Sequence, residues 1–262
     1  MALIETRELS KVYTLSSKKS VTALNNVTMS IEEGEIFGIL GPNGSGKTTC
    51  LKLLLGIIFP TEGEISIMGQ NQYSVVTKKN IGFLPENPYY YDYLTGPEIL
   101  KFYGKLFDMP PGIIRERTDS LLELVNLNNA KNLSLKHYSK GMLERIGLAV
   151  SLINDPKILI LDEPTTGLDP IGCKETRDLL KKLHDSGKTI LLSSHFLSEV
   201  ERVCSRIVIF HKGNLLTTGT LESLLEEYKA ENLEDLFVKA IRKFDSETGQ
   251  TEEDAINLQS SV

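Results

Sequence analysis

The run Gly41-Pro42-Asn43-Gly44-Ser45-Gly46-Lys47-Thr48-Thr49 constrains this chain more than any other stretch of its 262 residues. It fits G-x-x-x-x-G-K-[ST], a loop that cradles phosphate and works only between a strand and a helix. Both flanks are present. Ile36-Phe37-Gly38-Ile39-Leu40 reads as a buried strand, and residues 49–55 read as a helix closing at Gly56. The glycines let the backbone approach phosphate oxygens with its N–H groups turned inward. The helix adds the positive end of its dipole. In this pattern Lys47 reaches the β and γ phosphates of a bound nucleotide, and the Thr48 hydroxyl holds Mg²⁺.

A second constellation lies 115 residues beyond Lys47. The apolar run Ile158-Leu159-Ile160-Leu161 ends in Asp162-Glu163-Pro164. A buried strand that delivers carboxylates at its C-terminal end puts them where α/β proteins bind ligands. Asp162 is suited to hold Mg²⁺, and Glu163 to polarise an attacking water as general base. His195 follows a third strand, residues 189–193, and is placed to order Glu163. On its own, such a histidine reads more readily as a satisfied core or surface residue. His137 and His184 have no such context, and His211 reads as a surface residue of a hairpin turn, 211–214.

Strand texture also appears at residues 4–8, 23–31, 64–68 and 206–210, and helical spacing at 115–125, 173–184 and 197–204. A further helix starts after Ser139, with Leu143, Ile146, Val150 and Ile153 along one face. Strands alternating with helices imply an α/β fold with a mainly parallel sheet. Residues 86–154 read as a helical insertion into it. Residues 221–244 read as an amphipathic helix and 245–262 as a frayed polar tail, which makes 221–262 an extension to a domain of residues 1–220.

Charge excludes one class of partner. There are 29 Lys and Arg against 35 Asp and Glu, a formal net charge of −6, with no dense basic tract to meet nucleic acid. Cys50, Cys173 and Cys204 are far apart, as expected of reduced thiols in a cytoplasmic protein. No apolar run approaches the ~18 residues of a membrane-spanning helix, and the N-terminus lacks the pattern of a signal peptide. A role at the membrane therefore requires another chain as anchor.

Five motifs, in order and at family spacing, carry a resemblance. They are residues 41–49, Tyr138-Ser139-Lys140-Gly141-Met142, residues 158–164, Gly167-Leu168-Asp169 and Ser194-His195. Over residues 3–220 the chain resembles the nucleotide-binding subunit of an ATP-binding cassette (ABC) transporter. The resemblance implies a P-loop NTPase core with an N-terminal antiparallel β portion and an inserted helical subdomain. It implies ATP and Mg²⁺ as ligands, a second cassette (a homodimer) and a transmembrane permease as partners, and a place on the inner face of the cell membrane. Tyr13 matches the aromatic that stacks on adenine. Ser139 and Gly141 match the signature loop that reaches the γ-phosphate of the opposite subunit, Asp169 the loop coupling the two sites, and His195 the switch histidine.

Two positions depart from the family pattern. The usual L-S-G-G-Q is Y-S-K-G-M here, with Lys140 expected to be solvated. Glu86 stands where a Gln usually binds Mg²⁺ or the attacking water. Both departures resemble stand-alone cassettes of exporters whose permease is separately encoded. The alternatives are a soluble cassette for cofactor or complex assembly, and a regulatory cassette that binds ATP without hydrolysis. Glu163 and His195 argue against the latter. Eight of the eighteen aromatics fall within residues 83–107. Phe102 and Phe107 are expected in the core of the insertion. The rings of Tyr89, Tyr90, Tyr91 and Tyr93 are expected at the surface as anchors for the permease.

Overall fold

The structure is a computed structural model and describes residues 2–16 and 19–249. Residues 250–262, most of the expected frayed tail, lie outside the described residues. In chain order the strands and helices are β1 (Ala2–Ser16), β2 (Lys19–Glu32), β3 (Ile36–Leu40), α1 (Lys47–Leu54), β4 (Glu62–Ile67), β5 (Gln70–Asn71), α2 (Val75–Lys79) and β6 (Ile81–Leu84). Next come α3 (Gly96–Leu106), α4 (Pro111–Leu124), α5 (Lys140–Ser151), β7 (Ile158–Asp162), α6 (Pro170–Asp185), β8 (Thr189–Ser194) and α7 (Leu197–Val203). The last are β9 (Arg206–His211), β10 (Asn214–Thr220), α8 (Leu221–Tyr228) and α9 (Leu233–Thr248).

Two sheets form. One is antiparallel, in the order β2-β1-β4-β5. The other runs β10-β9-β3-β8-β7-β6 and is parallel except for β10. The apolar runs of β3, β7 and β8 are buried on both faces, the environment in which parallel strands lose polar alternation. Alternate side chains feed two cores. Phe37, Ile39, Ile158, Ile160 and Leu191 join the core under α1 and the antiparallel sheet. Ile36, Leu40, Leu159, Leu161, Ile190 and Leu192 join the core shared with α3, α4, α5 and α6.

The insertion is helical because its ends are punctuated. Thr95 and Glu98 form a capping box at the start of α3, with the Thr95 amide donating to Glu98 at 2.8 Å and Pro97 in the first turn. Its core differs from the sequence reading at two aromatics. Phe102 is exposed, and Tyr90 is tucked against α5 instead. Phe107 packs on the core as expected.

The C-terminal region also departs from expectation. It is two helices, broken at Lys229 in the left-handed region (φ 50°), and α9 continues through Thr248, so Asp245 is helical. Leu224, Leu233, Leu236 and Ala240 are buried in the same core as α5 and β9. These helices therefore complete the α/β body. His211 is not a surface residue: it is half-buried against α9, with Asp245 at 3.2 Å.

Candidate functional site

Four parallel strands, β3, β8, β7 and β6, deliver their C-terminal ends to one edge. Register brings the motifs level there: Leu40 pairs with Ser194, and Asp162 with Ser193. The loop at 41–46 closes tightly. A Cβ on Gly41 would lie 2.5 Å from the Phe210 carbonyl oxygen, and one on Gly46 (φ 110°) 2.6 Å from that of Ala23. Only glycine fits such approaches. Gly46 opens α1 without a side-chain cap, so first-turn amides of α1 have no intrahelical acceptor. The Ser45 hydroxyl is buried with no hydrogen-bond partner. Free amides, an orphan hydroxyl and a buried ammonium at Lys47 fit a triphosphate. Pro42, Asn43, Gly44, Thr48 and Thr49 complete the loop, with Asn43, Gly44 and Thr48 at the surface.

Lys47 Nζ donates to the carbonyls of Gly41 at 2.7 Å and Pro42 at 3.3 Å. It also lies 3.7 Å from Glu163 Oε1, both side chains being buried. The other carboxylate oxygen of Glu163 accepts from His195 Nδ1 at 2.8 Å, the His195 amide at 3.3 Å and Thr166 Oγ1 at 3.2 Å. Glu163 sits in the left-handed region (φ 55°), a conformation that persists only where neighbours over-determine it. The neighbour is Ser193, whose hydroxyl accepts from the Glu163 amide at 3.1 Å and donates to Asp162 at 2.6 Å. Sequence reasoning missed Ser193 and Thr166. The signal for Ser193 was a hydroxyl at the polar end of a wholly buried strand.

Other expected residues stand apart. Tyr13 is opposite Val21 on β2, two residues from Ala23 beneath Gly46, with Lys11 Nζ 5.2 Å from its ring centre. Ser139 caps α5, accepting from the Met142 amide at 3.3 Å. Asp169 caps α6, accepting from the Gly172 amide at 2.7 Å. A Cβ on Gly141 would touch Leu168 at 3.7 Å, so the signature loop and the 167–169 loop pack together. Lys140 is exposed, as expected, with the end of its side chain, Cδ to Nζ, lying over Gly167. Glu86 is exposed, two residues past β6, whose Leu84 pairs with Leu161 of β7, so it emerges one strand from Asp162 and three from β3. No group of three or more His, Cys, Asp or Glu among the described residues makes a metal cage.

A parallel sheet that gathers a phosphate loop, a carboxylate pair and a histidine on one edge, beneath an antiparallel sheet and beside a helical insertion, is the build of a P-loop ATPase. The family model described as ABC transporter matches residues 24–166. An uncharacterized ABC transporter ATP-binding protein of Nostoc sp. is 45% identical over 86% of this chain and 68% of its own length. A bacitracin transport ATP-binding protein of Enterococcus faecalis is 38% identical over 85% of this chain and 70% of its own length. A dimeric ATP-binding cassette solved in a post-hydrolysis state with ADP and Pi superposes with a TM-score of 0.76 at 28% identity. That match covers 83% of this chain and 98% of the solved one. The chain belongs to the ABC transporter family. It is an ATP-binding and ATP-hydrolysing subunit of the kind that powers membrane transport. Cassettes of this kind dimerise and pair with permeases. No helix among the described residues is long and apolar enough to cross a membrane.

Proposed function

We propose that this subunit drives a membrane exporter by binding MgATP along the sheet edge and hydrolysing it with Glu163 as general base. The observation that carries the reading is the contact of Glu163 with both Lys47 and His195, which sets a base beside a phosphate-facing cation. Lys47 neutralises the β and γ phosphates, Thr48 and Asp162 hold Mg²⁺, and Tyr13 stacks on adenine. Bound Mg²⁺ supplies charge neutralisation at the triphosphate. Glu163 takes a proton from the attacking water, and His195 holds the carboxylate in orientation. A second copy supplies Ser139 and Gly141 at its own helix N-terminus to complete the cradle, and Asp169 couples the two sites. The subunit works at the inner face of the cell membrane, held there by the permease.

The permease docks on the 87–93 loop. Two grooves flank Tyr90, of about 310 and 420 Å³, with Phe83 and Phe107 lining one and Leu135 and Leu143 the other. Tyr89 and Tyr93 stand exposed beside them. Exposed tyrosines next to apolar grooves suit a protein partner, since each ring buries a large area and keeps a polar tip.

Glu163→Gln tests the catalytic role. The amide cannot take a proton, so turnover should fall by roughly 10²–10⁴ while ATP binding persists and an ATP-bound dimer accumulates on size exclusion. Turnover close to that of the native chain would remove Glu163 from the role of base.

A further inference from the structure

We propose that Asp245, on the C-terminal helix α9, is a positioning residue for the phosphate-binding loop, acting through the 211–214 turn. The proposal rests on the reading of residues 41–49 as the ATP site. The turn touches that loop directly. The Gly213 amide donates to the Ser45 carbonyl at 3.0 Å, and the Gly213 carbonyl accepts from the Asn25 amide of β2 at 2.8 Å. A Cβ on Gly213 would lie 3.1 Å from the Ala23 carbonyl oxygen, so the turn is wedged between β2 and the loop. Ser45, the residue it holds, stands at the centre of the cradle and donates its own amide to Pro42 at 3.2 Å.

Asp245 grips the turn from the other side. Its Oδ1 accepts from His211 Nε2 at 3.2 Å and from Lys212 Nζ at 3.0 Å. Burial opposes the charged carboxylate. The Lys212 hydrogen bond, the neighbouring His211 ring and the Lys212 charge outweigh that and hold Asp245 below its usual range. His211 Nδ1 is buried without a partner, so the ring's hydrogen bonding goes to Asp245, and Phe244 meets the ring edge-on at 5.8 Å. Lys212 (φ 47°) and Gly213 (φ 80°) are the two central residues of the β9–β10 hairpin, which requires positive φ at both. A continuous chain of contacts thus runs from residue 245 to residue 45.

Docking of α9 does not itself need this carboxylate. Leu233, Leu236 and Ala240 anchor the helix in the main core. Loss of Asp245 should therefore loosen the turn, and through it Ser45, without unseating α9.

Full-length Asp245→Asn and Asp245→Ala, with Lys47→Ala as control, test this by titration with a fluorescent ATP analogue and Mg²⁺, steady-state kinetics and thermal melting. The expected result is a weakening of affinity and a rise in KM of about three- to tenfold, the size of effect such networks carry. The kcat at saturating ATP and the melting temperature should stay near native values, and Asp245→Glu should recover part of the affinity. Native affinity in both Asp245 variants, with affinity lost in Lys47→Ala, overturns the brace and leaves the ATP site standing. Native affinity in Lys47→Ala overturns the site and the brace together. A parallel loss of melting temperature, kcat and affinity in Asp245→Asn shows general destabilisation and also overturns the proposal. If Asp245→Ala fails to fold, the isosteric Asn variant decides alone.

Discussion

At the scale of single residues, a strained carboxylate and an isolated buried carboxyl group have different fates. Glu163 is strained but fully partnered, which keeps its carboxylate in one orientation beside Lys47 and His195. Glu144 is unstrained but buried, and its Oε1 has no hydrogen bond. Burial pushes its pKa up to about 8 from 4.5, against the pull of Lys140. The folded chain therefore binds this proton more tightly than the unfolded chain. The associated stability is fully present below pH 4.5 and is lost as pH rises toward 8, at a limiting slope of ~1.4 kcal/mol per pH unit. Glu144→Gln keeps the shape and removes the titration. Urea unfolding of both proteins should show the variant gaining on the native chain between pH 5 and pH 8. An equal difference at both values would mean that Glu144 ionises freely in the fold.

At the scale of elements, α5 shows what periodicity reads and what it misses. The helix begins after Ser139 and runs through Ser151, close to the boundary its capping pattern foretells. Its buried face, however, carries Glu144 and Gly147 as well as Ile146 and Val150. Gly147 is pressed by Leu84 of β6 and by Tyr90, whose side chains would lie 2.5 and 3.0 Å from a Cβ there. A ring arriving from a loop more than fifty residues upstream has no local trace in the helix. The same packing divides the tyrosine run into two kinds of residue. Replacing Tyr89 and Tyr93 together with Ser should leave folding and ATP affinity near normal, and weaken co-purification with the permease by at least about tenfold. Tyr90→Ser should instead lower the melting temperature of the isolated subunit, because it removes a ring packed on α5. Normal permease binding in the Tyr89/Tyr93 double variant would move the docking surface elsewhere.

For the whole molecule, the nucleotide site proposed above draws on segments as distant as Tyr13 and His195, so ligand and fold would be linked. A ligand that binds only the folded chain stabilises it by about 4 kcal/mol at ~1,000 times its Kd. For a domain of this size that is a rise of roughly 10 °C in Tm. Saturating MgATP should produce such a rise in the native protein, and Lys47→Ala should abolish most of it in a thermal-shift assay. A full shift in Lys47→Ala would place the nucleotide away from residues 41–49.

The sequence by itself determined the class of fold and the chemistry at its edge. The phosphate loop, the strand ending in Asp162-Glu163 and the Ser194-His195 pair are local patterns, because a strand–turn–helix junction and a wholly buried strand each leave a signature over a few adjacent residues. Tertiary structure alone decided which side chains support them. Ser193 beneath Glu163, Tyr90 over Gly147, Lys140 across Gly167 and Asp245 on the turn beside Ser45 are each contacts between segments far apart in the chain. Such contacts form when packing brings two elements within a few ångströms, and no periodicity in either element encodes the meeting. For the same reason the helical extension after residue 220 is legible in sequence, but not that Leu224, Leu233, Leu236 and Ala240 pack into the main core. Their apolar stripe is visible along the chain, while the surface that buries it, formed by α7, β9 and β10, exists only once those elements have packed.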